Sequence, residues 1–179
     1  MKRIKNKGFT LVELLVVISI IGLLSTIILV TVQDTRDKAN NTKKNQLVGQ
    51  YLRAAELYRD KYDTYPDDTS KTVNYDWCLG PYSTGKCYGG FIDYSAVLAS
   101  SFSEFISGPP ADNTFIPYPG GSGNRNGILY NCSARLNGTT GPCTKYRFAW
   151  ALIGTKTGCI SGATLGLIGN NRLCYLSSN

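Results

Sequence analysis

The sequence predicts an α+β fold: a long N-terminal helix, half apolar and half amphipathic, packed on a small antiparallel β-sheet of about four strands and stapled by disulfides. Three observations predict it. An uncharged apolar run from Leu14 to Val32 passes into a segment whose apolar residues recur at helical spacing. The C-terminal third alternates large apolar and other residues with period two. Six cysteines all lie beyond residue 77. A chain of 179 residues supports one modest core, and 42% hydrophobic residues exclude a disordered chain.

The N-terminal element is read from charge. The net charge of +7 divides into +4 over residues 1–8, −3 over 9–112 and +6 over 113–179. The first zone, Lys2, Arg3, Lys5 and Lys7, abuts the apolar run. Nineteen residues from Leu14 to Val32 carry no charge, and as a helix they span about 28 Å, close to the hydrocarbon thickness of a bilayer. Bases before the run and few just after it place the N-terminus in the cytoplasm and export the rest. The run exceeds the core of an ordinary secretory signal, and no clear small-x-small cleavage site follows it. Glu13 borders the run, where a carboxylate at membrane depth costs on the order of 2.5–3.5 kcal/mol and needs a partner. No Lys or Arg lies on its apolar side. The nearest candidate is a new amino terminus made by cutting just before Phe9.

Lys7-Gly8-Phe9-Thr10-Leu11-Val12-Glu13-Leu14-Leu15-Val16-Val17-Ile18 resembles the class III leader of type IV prepilins and type II secretion pseudopilins. The resemblance implies a pilin-like fold, cleavage after Gly8 by a membrane prepilin peptidase, and N-methylation of Phe9 by the same enzyme. It implies that Glu13 pairs with the Phe9 amine of a neighbouring subunit. A buried carboxylate and a buried ammonium are tolerated when they meet, and such a pair fixes register more than it adds stability.

Beyond Val32, charged residues from Asp34 to Lys44 show that the chain has left lipid. Leu47, Tyr51, Ala55, Tyr58 and Tyr62 then recur at steps of four, four, three and four, widened by Val48, Leu52 and Leu57. This is an amphipathic helix, and its tyrosine stripe reads as core packing. Asn40-Asn41-Thr42 is a poor helix stretch where the helix bends or frays. Pro66 disfavours helix at Tyr65, so the end falls near Tyr62 to Thr64. Tyr58 to Pro66 resembles the "Y…YP" ending of many pseudopilins and pilins. Many major pilins carry Pro where this chain has Val30; Gly22 is the comparable helix-weakening residue.

The head follows. A short helix is expected from Ser95 to Ile106, stopped by Gly108-Pro109-Pro110, and Gly120 to Gly123 forms a loop. Tyr146 to Ile153 alternates as a half-buried strand, with Ile128 to Cys132 as partner. Thr164 to Ile168, Asn170-Asn171 and Leu173 to Leu176 read as a hairpin. The expected organisation is a leader over 1–8, a membrane or filament-core half-helix over 9–32, an amphipathic half over 33–63, a variable loop with a short helix over 64–126, and a β-meander over 127–179.

An even number of exported cysteines implies disulfides. Six allow 15 connectivities; the hairpin reading favours the neighbours Cys78–Cys87, Cys132–Cys143 and Cys159–Cys174. A zinc site lacks CxxC spacing and His. No Asp or Glu follows Asp112, which argues against the C-terminal calcium site of many major pseudopilins; Asp67, Asp68, Asp76 and Asp112 are the acids left for a cation. No metal and no cofactor is expected. Asn131-Cys132-Ser133 and Asn137-Gly138-Thr139 match glycosylation acceptors. The acid-free tail offers Arg125, Arg135, Lys145, Arg147, Lys156 and Arg172 for phosphate contacts to DNA, or as solvating charge spread over several strands.

With no His, and no base placed beside a nucleophile, the chain is read as a structural protein and peptidase substrate rather than an enzyme. The expected function is a subunit of a type IV pilus-like filament. The alternatives are a pseudopilin of a type II secretion system and a minor pilin of DNA uptake with a basic head. Partners implied by the resemblance are other pilin subunits, prepilin peptidase, an inner-membrane assembly platform and the membrane before assembly. The implied location is the inner membrane, single-pass, and then an extracellular or periplasmic filament.

Overall fold

The computed structural model describes residues 8–80, 86–107, 112, 116, 126–155 and 157–178, with backbone alone at 27–30. The helix stop at Gly108 to Pro110, the loop at Gly120 to Gly123, and most of the leader lie outside the described residues. The chain divides into two compact units, Met1–Lys38 and Ala39–Asn179. Helix α1, Leu11–Tyr62, contributes its first part to one and its second part to the other.

In the first unit every described side chain of the apolar segment from Phe9 to Leu24 is exposed. This helix is long and apolar enough to cross a membrane. Its hydroxyls are satisfied inside the helix: Ser19 Oγ donates to Leu15 O, Ser25 Oγ to Ile21 O and Thr26 Oγ1 to Leu23 O, at 2.7–2.8 Å. That removes the penalty of bare polar groups in an apolar medium.

In the second unit α1 runs unbroken through Asn40-Asn41-Thr42. Low helix propensity is overridden there by tertiary bonds. The Asn41 amide donates to Ile153 O at 2.9 Å and its carbonyl accepts from Ile153 N at 2.8 Å, so the side chain pairs with a strand end as a backbone amide would. One turn on, Asn45 accepts from Trp150 Nε1 and donates to Gly158 O. Leu47, Val48, Tyr51, Ala54 and Ala55 then bury one face. The helix stops where Asp63 turns left-handed, with φ of 56°, and its N–H bonds back to Arg59 O at 2.8 Å. Tyr65 folds in behind: its ring meets Tyr146 edge-on at 4.7 Å, and its hydroxyl donates to Glu56 and accepts from Arg59.

The head has a five-stranded antiparallel sheet. Its strands are β1 (Trp77–Leu79), β4 (Ile128–Asn137), β5 (Thr140–Leu152), β6 (Thr164–Ile168) and β7 (Asn171–Ser177), in the order β1-β4-β5-β7-β6. A two-stranded ribbon, β2 (Lys86–Cys87) and β3 (Ile92–Asp93), follows β1 in the chain and is tied to it by the Cys78–Cys87 disulfide and a bridge from Cys78 to Tyr94. The expectation of about four strands is thus one short, because β1 is three residues long and offers no measurable alternation. The strands of the main hairpin are longer than expected, since β4 and β5 continue to a two-residue turn at Gly138-Thr139, where Gly138 takes φ of +76°. The sheet is not a simple meander. β7 pairs with β5, and β6 takes the outer edge, because the connection after β5 is long enough to cross that position first.

Each sheet face carries a core. Tyr130, Phe148, Trp150 and Leu152 face α1 together with Leu98 and Phe102 of helix α2, Ala96–Ser103. The α2 N-cap is Ser95, whose hydroxyl accepts from Leu98 N at 3.0 Å. On the other face Cys78, Cys87, Tyr88, Leu129 and Ala149 form a second cluster. The six cysteines form three disulfides, Cys78–Cys87, Cys132–Cys143 and Cys159–Cys174, leaving none free.

Candidate functional site

The candidate site is the start of α1. Gly8, Phe9 and Thr10 precede the first helical residue and are exposed, Phe9 at 81%. A Cβ added to Gly8 would meet nothing within 4 Å among the described residues. Glu13 is not alone. Its Oε2 accepts from Thr10 N at 2.8 Å and from Thr10 Oγ1 at 2.7 Å, while Glu13 N donates to Thr10 Oγ1 at 3.3 Å. This reciprocal arrangement is a capping box, which satisfies donors that a helix start otherwise leaves bare. The sequence carried the signal as Thr-x-x-Glu directly before an apolar run. Reading Glu13 only as a buried charge in search of an amine missed this partner within its own chain.

The basic residues of the tail are placed differently from one another. Arg135 is buried; its Nε donates to Asp67 Oδ2 at 2.7 Å, and its other nitrogens reach Asp67 Oδ1, Thr139 O and Lys71 O. Arg147 Nη2 lies 3.2 Å from Asp76 Oδ1. Arg172 Nη2 donates to Thr155 O. Lys145 is exposed. Arg125 and Lys156 lie outside the described residues. Three guanidinium groups of the tail therefore hold loops to the sheet.

The acids named for a cation are dispersed in the same way. Asp67 holds Arg135, and Asp76 takes Arg147 and Asn131. Asp68 accepts from Ser95 Oγ at 2.5 Å and from Ser70 N at 3.0 Å. Burial pushes the Asp68 carboxyl up, but these hydrogen bonds outweigh it and hold the group below the usual Asp range. Asp112 lies 2.7 Å from the Lys44 ammonium, which is fully buried. Burial pulls that amine below its ordinary pKa, and the charge of Asp112 opposes the shift. No sequence signal marked Lys44, which lies in a run of charges that elsewhere face water. Asn131 is fully buried with its amide on Asp76, whereas Asn137, at the hairpin turn, is exposed.

The family description "Prokaryotic N-terminal methylation motif" matches residues 3–29. No curated protein and no solved structure matches the chain. The matched segment is the class III signal of the type IV pilin and pseudopilin family. The long helix packed through its second part on an antiparallel sheet, with three disulfides, is a pilin-like α+β fold. The motif supports a pilin-like protein of the kind prepilin peptidase processes, and with the apolar helix it fits single-pass anchoring in the inner membrane.

Proposed function

We propose that this chain is a structural subunit of a type IV pilus-like filament and itself performs no catalysis. The peptidase cuts between Gly8 and Phe9 and methylates the Phe9 amine. Residues 1–8 are the leader, 9–32 the membrane and later filament-core segment, 33–63 the head-facing half-helix, 64–126 the variable loop and 127–179 the sheet region. The N-terminus lies in the cytoplasm and the head on the far side of the inner membrane. From there an assembly platform feeds subunits into a filament of like chains.

One observation carries this reading. The apolar side chains from Phe9 to Leu24 are all uncovered, beside a helix start whose carboxylate is held in place by Thr10. At about 25 cal/mol per Å2, burying that surface against neighbouring helices is the main driving force for assembly. Both Thr10 bonds fall on Glu13 Oε2, so Oε1 is the oxygen proposed to meet the Phe9 ammonium of a neighbour and set axial register.

Mass spectrometry of the purified protein tests processing. The expected amino terminus is N-methylated Phe9; an intact Met1, or a cut beyond the apolar run, defeats the reading. Glu13→Ala is expected to insert in the membrane normally and to form no filaments. Normal filaments from that variant would remove the pairing.

A further inference from the structure

The two edges of the five-stranded sheet differ. On the β1 side Cys78 bridges to Tyr94, and the β2–β3 ribbon is stapled there through Cys87. On the other side β6 pairs with β7 alone, so among the described residues its outer row of N–H and C=O groups faces no strand. Proteins usually blunt such an edge with charge, proline or a bulge. β6 has none of these: its pairing with β7 is regular, and residues 157–171 contain neither a charged residue nor a proline. It carries two exposed leucines instead, Leu165 at 61% and Leu167 at 69%. They stand opposite Cys174 and Arg172, on the face where Cys174 joins the core shared with α1.

The adjoining turn fixes which groups point outward. Gly169-Asn170 is a two-residue turn, with Gly169 at φ of +56°, closing on the pair Ile168–Asn171. Such a closing pair exchanges both its hydrogen bonds, and the ladder alternates from there. Thr164, Gly166 and Ile168 therefore bond to β7, while Leu165 and Leu167 turn their N–H and C=O groups to the open edge. That edge reads the same in both directions from Gly166. We propose that the β6 edge pairs with β6 of a second copy of this chain, antiparallel about a two-fold axis through Gly166. Leu165 of each copy then exchanges both backbone bonds with Leu167 of the other, and Gly166 meets Gly166 across the closer, non-bonded pair. The four leucines meet on one face, and β6 brings no charge to the junction. The covered β1 edge offers no strand for a head-to-tail pairing, so the contact is isologous. The second part of α1 lies along one face of the sheet, and an axis normal to the sheet reverses it. Subunits fed from one membrane all run the same way, so the pair joins heads of two filaments of opposite direction, where many weak contacts add.

The pairing itself needs no filament and is tested on unassembled protein, so it and the filament reading fail separately. Full-length protein in detergent, whose own cysteines are all bridged, is given one new thiol and oxidised mildly. Gly166→Cys is expected to yield a disulfide-linked dimer, since a Cβ there meets only Tyr175 and Leu173, at 3.5 Å or more. Leu165→Cys, next to it and exposed, is expected to yield little, because its two copies stand out of register. Adding Leu165→Lys to Gly166→Cys removes both Leu–Leu pairs at once and is expected to slow dimer formation about tenfold, with the thermal midpoint unchanged. A mixture of the Thr164→Cys and Ile168→Cys proteins reads the register independently: the mixed dimer is expected, and neither homodimer. The proposal is overturned if folded Gly166→Cys protein stays monomeric, if Gly166→Cys and Leu165→Cys dimerise equally, if Leu165→Lys has no effect, or if the homodimers match the mixed dimer.

Discussion

The two units of this chain solve opposite problems. The head, from Ala39 on, has a core on each face of its sheet, buried ion pairs and three disulfides. The first unit leaves its large apolar side chains uncovered from Phe9 to Leu24, yet Ser19 and Ser25 bond to backbone carbonyls of their own helix and the Glu13 carboxylate is held by Thr10. One unit is complete alone. The other is finished only by lipid or by neighbouring helices. The difference shows why polar bookkeeping is strict where apolar burial is absent: a stray polar group would be unsatisfied in either destination.

The comparison can be broken from either side. The largest expected effect is in the head. Lys44→Ala removes the ammonium that faces the buried Asp112 carboxylate, which keeps its bond from Gly127 N, and should destabilise the head by about 3–5 kcal/mol in denaturant titrations, with membrane insertion unchanged. The reverse experiment is Leu23→Lys. A cation near the middle of the apolar segment should disfavour insertion by about 2.5–3.5 kcal/mol, read as protein lost from the membrane fraction, while the head's denaturation midpoint stays put. If either change moves the other unit's readout equally, the units are not separable. Replacing Cys132 and Cys143 together by Ser should cost about 2–4 kcal/mol of head stability, by releasing an unfolded-state constraint across the β4–β5 hairpin.

The smallest effect is on pH. The folded Asp68 carboxyl titrates below its ordinary value of 3.8. Its contribution is therefore present above that value and is lost as pH falls through the lower folded value. Asp68→Asn should flatten the acid limb of the head's stability curve, and an unchanged limb would show that Ser70 and Ser95 do not favour the charged form.

The apolar unit was legible because its signals are local and coincide: basic residues, Gly8-Phe9, Glu13 and an uncharged run. The strands of the tail were legible by alternation, though their order was not, since β7 reaches β5 by a crossing no periodicity reports. Asn41 was misleading for a physical reason. Propensity sees an amide that competes with helix hydrogen bonds, whereas the folded chain gives that amide a strand end to pair with. Lys44 and Tyr62 erred in opposite directions, a charge read as solvated that is buried and a ring read as core that is half exposed. Helical spacing assigns a face, but which residues along it are covered depends on where the partner elements end.

The Asn41 clamp has a mechanical consequence. Among the described residues, Asn41 is the first buried one along α1. A pull on the segment before Ala39 reaches the sheet through its two bonds to the main chain of Ile153, just past the end of the longest strand. Those bonds are loaded together rather than one after another, and Asn45 shares the load a turn later through Trp150 and Gly158. Tension along the helix is thus delivered into a strand hydrogen-bonded on both sides, the β5 register with β4 and β7, and not into a loop that could peel away.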